Sequence, residues 1–367
     1  MKIVVIGTRG IPNILGGVET RCQELYPRLV RLGCDVTIIR RSPYFNQKEK
    51  ITEYEGVKLI DLFAIRSKNM EAILHTFMAV FKAKALKPDI LHIHAVGPAL
   101  LAPLAKLLGM KVVVTHHGPD YDREKWGTIA KLALRMGEKA ATQYSDKVIV
   151  ISNVIRDSLK DKYNYNNAAL IFNGVPDISV SKKETGYIQS LGLRPGKYIL
   201  AMGRFVKEKR FDMLIDAYNQ IENNGVRLVL AGDADHPTNY SNNLKKQAKE
   251  NQVVLTGFIS GNPLRELLTH ARIFVLPSTH EGLPIALLEA MNFSLNVLAS
   301  DIPANKAVKT LPEESFFKSG DLNSLKEGLT RKLSQEYGSI QYDLSDYDWD
   351  KIAKQVKDVY EDVLKQK

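Results

Sequence analysis

The sequence predicts two α/β domains in tandem, each a Rossmann-like, doubly wound parallel sheet, facing a cleft between them. Three features carry that expectation. Short runs rich in Val, Ile and Leu alternate with amphipathic stretches, the pattern of parallel strands covered by helices on both faces. The alternation halts once, near residue 180, and then restarts. The chain of 367 residues, 44% hydrophobic and 25% charged, suits two globular domains and excludes a disordered or fibrous protein.

In order, the first half offers strands at 2–7, 35–40, 57–62, 89–94, 111–116, 147–151 and 169–172, with helical patterns at 18–31, 70–84 and 128–143. The opening MKIVVIGTRG has too short an apolar core for a secretory signal; it reads as a strand and points to a cytoplasmic protein. Cys22 and Cys34 are too few for a disulfide framework and fit a reducing compartment. No apolar stretch reaches membrane-spanning length. Pro176, Gly186 and Pro195-Gly196 break the rhythm, so 1–178 is the first domain and 179–197 a linker. Strands at 198–202, 227–231, 253–255, 273–276 and 296–299, with a helix at 211–221, make the second domain, 198–345. A last helix at 349–366 lies in a terminal segment, 346–367.

Ligands of such sheets sit beyond the carboxyl ends of the strands. After the first strand, Gly7, Gly10, Gly16 and Gly17 precede a helix. Backbone N–H groups there suit a phosphate, although the spacing is that of neither a dinucleotide nor an ATPase loop. His92, His94, His116 and His117 stand at two further strand ends without a supporting carboxylate or cysteine, so no metal is expected. His117, before Gly118, is the candidate donor to a sugar or phosphate oxygen. In AMGRFVKEKRFD, Arg204 and Lys209 flank a short loop, a suitable clamp for a diphosphate. In FVLPSTHEGLPIALLEAMNF, Glu281 lies in a loop, Pro284 reads as the first helical residue and Glu289 falls in the second turn. Carboxylates so placed accept hydrogen bonds from vicinal hydroxyls, and burying Glu289 among Leu287, Leu288, Ala290 and Met291 is expensive without a partner.

GRFVKEKRFD, VLAGDAD, LTGFIS, HEGLPIALLEA and ASDIPA, together with GTRGIPNILGGVE, THHG and IFNGV, resemble the retaining glycosyltransferases of family four, of bacterial polysaccharide type, with the GT-B fold. The resemblance implies a metal-independent transfer of a hexose from a nucleotide-diphosphate sugar to a glycan or lipid-linked acceptor, with no cofactor. Arg204 and Lys209 would hold the diphosphate. Glu281 would bind the sugar's hydroxyls, helped by the backbone at Gly282, Leu283 and Pro284, and Glu289 the ribose. Phe258 and Ile259 would lie at the base, Gly16 and Gly17 would approach phosphate or acceptor, and His117 would contact the sugar. The terminal helix would cross back onto the first domain. Arg210 stands where the family usually has glycine, and Asn305 lies in a segment that departs from the family's glycine-rich pattern.

Rival readings are a nucleotide-sugar epimerase of the same fold, a non-catalytic sugar-binding protein, and a metal-dependent transferase using Asp120/Asp122, Asp233/Asp235 or the run Asp346/Asp348/Asp350. Residues 1–178 hold 26 Lys and Arg against 17 Asp and Glu, while the remainder holds 25 against 24. No nucleic-acid motif accompanies that surplus. It suits an anionic inner membrane face carrying a lipid-phosphate acceptor, through Arg28, Arg31, Arg40, Arg41, Arg66, Lys68, Lys82 and Lys84; the plain alternative is a solvated face.

Overall fold

The computed structural model describes residues 1–14, 16–45, 51–65, 71–119, 121, 127–175, 184–234, 237–308 and 310–366. Arg66, Lys68, Asp120, Asp122 and Asp235 lie outside them. The chain divides into two compact units: Met1–Gly174 with Asp346–Lys367, and Val175–Ser345.

The first unit runs β1 (Lys2–Ile6), α1 (Gly17–Arg31), β2 (Asp35–Arg41), β3 (Glu53–Tyr54), β4 (Val57–Leu62), α2 (Glu71–Leu86), β5 (Ile90–His94), α3 (Val96–Ala99), α4 (Ala102–Leu107), β6 (Val112–His116), α5 (Thr128–Tyr144), β7 (Lys147–Val150), α6 (Asn153–Tyr163) and β8 (Ala168–Leu170). The second contains α7 (Gly186–Ser190), β9 (Tyr198–Met202), α8 (Phe211–Asn219), β10 (Arg227–Ala231), α9 (Asn239–Glu250), β11 (Val254–Gly257), α10 (Gly261–His270), β12 (Ile273–Leu276), α11 (Ile285–Asn292), β13 (Asn296–Ser300), α12 (Pro303–Lys306), β14 (Phe316–Phe317) and α13 (Leu322–Ser334). The terminal helix α14 (Trp349–Lys365) returns to the first unit.

The first sheet has the order β3-β4-β2-β1-β5-β6-β7-β8, parallel except for the short β3 beside β4. Alternate residues serve opposite faces, as strand geometry requires. Ile3, Val5 and Ile90 join Leu25, Tyr26 and Leu29 of α1 and Val356 and Tyr360 of α14 in one core. On β6, Thr115 bonds His92 on that face, whereas the next residue, His116, reaches Glu138 of α5 on the other. The second sheet, β11-β10-β9-β12-β13-β14, is parallel throughout. Its core gathers Leu200's neighbours Ile199 and Ala201, Phe211 and Leu214 of α8, and Leu325 and Leu329 of α13.

The stretch expected as a linker is partly built into the second unit. Within 179–197, α7 buries Ile188, whose N–H donates to the buried Glu266 Oε1 (2.8 Å), and Leu193 is buried after it. The Pro and Gly breakers drew attention from these two apolar anchors. The two-residue strands β3 and β14 are too short to leave a period in sequence.

Candidate functional site

Because the second sheet is parallel throughout, its carboxyl ends share one edge, the ligand-binding edge of an open α/β sheet. Strands β9 and β12 are neighbours at its centre. After β9 the chain passes Gly203 and Arg204 into a 3₁₀ turn, Lys207–Lys209. After β12 it passes Thr279 to Glu281. Hydrogen bonds join these loops: Thr279 N–H (2.8 Å) and Thr279 Oγ1 (3.4 Å) donate to the Glu208 carbonyl, and Lys209 Nζ donates to Glu281 Oε1 (2.5 Å). The Lys209 and Glu281 side chains are only 17% and 13% exposed, so solvent screens this pair far less than a surface one. Half-buried Arg204 opens the same loop that ends in Lys209.

Glycines bring the backbone in close. A Cβ on Gly203 would stand 3.2 Å from Lys209 Cε, so the lysine stem crosses it. A Cβ on Gly232, just after β10, would collide with the Gly203 carbonyl, and Gly232 N–H donates to the Gly257 carbonyl (2.9 Å). Three neighbouring strands thus have a glycine at or directly after their carboxyl end. Phe258 follows Gly257 and is 46% exposed, an aromatic surface on which a base can stack; Ile259 is half-buried.

Helix α11 begins one residue later than expected. Pro284 is its N-cap, at φ −77° and ψ 112°, because the proline's fixed φ is paired here with an extended ψ. Leu283 and Pro284 are buried and seat the helix start, with Gly282 half-buried before them. Glu289 does fall in the second turn, but it is half-buried on the side of Ile285 and Ala286, opposite the buried Leu287, Leu288, Ala290 and Met291. Its charge is therefore not placed among those apolar neighbours as expected, since the helix turns it to the other side.

In the first unit, Gly16 caps α1 at φ 151°. Glu19 in the first turn accepts from Arg9 N–H (3.1 Å), Arg9 Nη2 (3.1 Å) and Thr8 Oγ1 (3.2 Å). Burial pushes its carboxyl up, yet Arg9 outweighs burial and holds it below the usual carboxylate range. The chain supplies its own anion at the helix start where a phosphate was expected. Gly17, beside it, faces open space.

Three of the four histidines, His92, His94 and His117, stack in a row, and the fourth lies elsewhere. His117 Nε2 lies 2.9 Å from His94 Nδ1; His94 Nε2 lies 2.5 Å from Tyr26 Oη; His92 Nδ1 meets Tyr360 Oη (2.6 Å) and Tyr26 Oη (3.0 Å); and His92 Nε2 meets Thr115 Oγ1 (2.7 Å). Burial, helped by neighbouring rings and by the buried Arg21, holds His92, His94 and His117 well below the usual histidine range, so each ring is neutral. His116 stands apart, on Glu138 Oε1 (2.8 Å).

Two family descriptions match the chain: "Glycosyltransferase Family 4" over residues 15–177 and "Glycosyl transferases group 1" over 187–356. An uncharacterized glycosyltransferase of Methanocaldococcus jannaschii is 27% identical, covering 98% of both chains. An Escherichia coli enzyme named as a UDP-Gal:α-D-GlcNAc-diphosphoundecaprenol α-1,3-galactosyltransferase is 26% identical over 81% of this chain and 80% of its own. The sucrose-phosphate synthase of Thermosynechococcus elongatus superposes with a TM-score of 0.79 at 21% identity, covering 99% of this chain and 98% of its own. The chain is a glycosyltransferase of the GT-B fold.

Three of the carboxylates weighed for a metal-dependent transferase have other work in this glycosyltransferase. Asp233 meets Lys245 Nζ (2.6 Å), Asp348 caps α14, and Asp350 pairs with Arg28 (3.0 Å). Of the cations expected on a membrane face, Arg28 also pairs with Glu24 (2.8 Å), Arg41 with Glu71 (3.0 Å), and buried Arg40 with Asp61 (2.7 Å). Those three are engaged within the fold. Arg31 lies near Glu55 (3.8 Å) with both side chains exposed, and Lys82 and Lys84 are exposed on α2. Sequence reasoning missed Gly203, Gly232 and the Arg9–Glu19 pair. The signal available for the glycines was their place directly after apolar runs.

Proposed function

We propose that this glycosyltransferase belongs to the retaining, family-four type and moves a hexose from a nucleotide-diphosphate sugar to a glycan or lipid-linked acceptor in cell-surface polysaccharide synthesis. The Lys209–Glu281 pair at the ends of adjacent parallel strands carries this reading. Breaking the sugar–diphosphate bond leaves positive charge on the anomeric carbon and negative charge on the departing phosphate. Lys209 has three donors, so it can keep Glu281 and still take a phosphate oxygen, with Arg204 beside it. Glu281 then accepts from ring hydroxyls, Glu289 serves the ribose, and Phe258 with Ile259 the base. His117, Gly16 and Gly17 are the first unit's contribution to sugar and acceptor. The similarity to an enzyme named for a UDP-sugar and a lipid diphosphate acceptor supports both substrate classes.

For retention, the acceptor oxygen attacks the anomeric carbon on the face the diphosphate leaves. Its proton passes to a departing phosphate oxygen, and the electron pair of the broken bond goes to the diphosphate. Fixed cations stabilise that leaving group, so the reaction proceeds in a chelator. A lipid-linked acceptor places the protein at an anionic membrane face.

The test is a thermal-shift panel of nucleotide sugars followed by turnover with the best binder. Lys209→Ala should lower turnover about a hundredfold, the loss expected for one such donor, with the circular dichroism unchanged. Undiminished turnover, or an epimerised sugar as the only product, overturns the reading.

A further inference from the structure

In the first unit, α2, α3, α4 and α5 pack on one another along the sheet face that does not carry α1 and α14. The outer surface of this layer is unusual. On α2, Ile73, Phe77 and Phe81 follow at four-residue spacing and are exposed, while His75, Thr76, Ala79, Val80 and Ala83 face the core. The Phe77 and Phe81 rings meet edge to face, with centroids 5.1 Å apart. On α5, Ile129, Leu132 and Met136 form a second exposed stripe, with Ile129 86% exposed. An amphipathic helix of a globular domain turns polar residues to water, so both helices are apolar where they should be wet. Leu107, at the end of α4, is 84% exposed in the same layer.

Among the described residues of these helices, the exposed charges around the stripes have one sign. Lys82 and Lys84 adjoin Phe81, and Arg135 and Lys139 adjoin Met136, all exposed. The acidic residues of the three helices are turned inward: Glu71 pairs with Arg41, and Glu138 is buried on His116. On α14, by contrast, exposed Lys and Asp or Glu alternate. No helix among the described residues is long and apolar enough to cross a membrane.

We propose that the outer face of α2, α4 and α5 docks on an anionic lipid bilayer, the aromatic and aliphatic side chains entering the interface and the four cations meeting lipid phosphates. This deepens the membrane part of the proposed function, from which it takes the lipid surface; the donor site plays no part in it. Charge selects this occupant. A symmetric dimer through the same face would bring Lys82, Lys84, Arg135 and Lys139 of both copies into one interface with no outward acidic side chain of these helices to meet them, whereas an anionic leaflet satisfies all four while covering the apolar stripes.

The test is co-sedimentation with vesicles of phosphatidylcholine alone and with phosphatidylglycerol added, at low and high salt. Binding should require phosphatidylglycerol and weaken with salt. Phe77→Ser with Phe81→Ser should lower the partition coefficient at least tenfold, and Lys82→Gln with Lys84→Gln about 25-fold, roughly fivefold per lysine. Nucleotide-sugar thermal shifts on the same variants without vesicles should match the unsubstituted protein. That readout reports folding and donor binding, so its failure is distinct from failure of the membrane surface. Equal binding to neutral vesicles, undiminished binding of either double variant, or a dimer in light scattering that Phe77→Ser with Phe81→Ser dissolves would overturn the proposal.

Discussion

Arg210 holds φ 49° and ψ 37°, the left-handed conformation that glycine adopts without penalty, as it turns the clamp loop into α8. An L-residue there costs about 1–2 kcal/mol, and a glycine gives back about 0.5–1 kcal/mol by loosening the unfolded chain. Arg210→Gly should therefore stabilise the second unit by roughly 0.5–1 kcal/mol net, read as a raised denaturant midpoint. An unchanged or lowered midpoint would show that the arginine repays its strain, for instance through Asp212, 3.6 Å away. The departure from the family's glycine was legible in the sequence; the backbone angle that explains it was not. The same divide runs through the site. Lys209 and Glu281 stood out because cation and carboxylate sat at strand ends in a known order. Their bond to each other depends on β9 and β12 being neighbours, which no local spacing encodes. Asn305, whose surroundings were unreadable, is wholly buried and holds the end of β13 through the Ser300 carbonyl (2.9 Å).

Helix α14 shows how an element's place is fixed. Its long amphipathic pattern was plain in the sequence, and its buried stripe of Ile352, Val356, Tyr360 and Val363 joins the core around α1. The start of the helix is set by a close approach that no periodicity reveals. A Cβ on Gly174 would lie 2.5–2.8 Å from three atoms of the Trp349 ring, so the ring packs flat on a bare backbone. Overpacking of this kind costs typically about 1–3 kcal/mol. Gly174→Ala should lower the unfolding free energy by that amount, measured in urea with tryptophan fluorescence. A midpoint equal to that of the unsubstituted chain would mean that α14 can shift its first turn freely. Buried Arg21 joins the same region: its Nη1 donates to the Phe172 carbonyl (2.8 Å) and to Asn173 Oδ1 (2.7 Å). The IFNGV segment is thus at once a family signature and the seat of two helices, a double role that its letters do not separate.

At the scale of the whole molecule, the two units should respond differently to acid. Burial holds His92, His94 and His117 neutral, and burial with the nearby Arg41 lowers His75 to about 4. All four lie in the first unit. Once unfolded, each ring takes a proton as the pH falls through about 6.5, while the folded ring does not. The unfolded state then binds more protons, so the stability present above 6.5 is lost progressively below it, down to about 4 for His75. Between pH 7 and 5.5 each ring costs roughly 1 kcal/mol, about 4 kcal/mol for the four together. Glu19 and Glu138, whose folded values are lowered, have the opposite window: their stabilisation is complete above the ordinary carboxylate value and disappears only as the pH falls below it. Trp349 packs in the core of the first unit, so its fluorescence follows that unit. Urea unfolding read this way should show the midpoint dropping between pH 7 and 5.5, with His75→Asn removing about a quarter of the drop. A flat profile would mean that the buried rings accept protons in place, and that the string of hydrogen bonds leading to His117 tolerates charge.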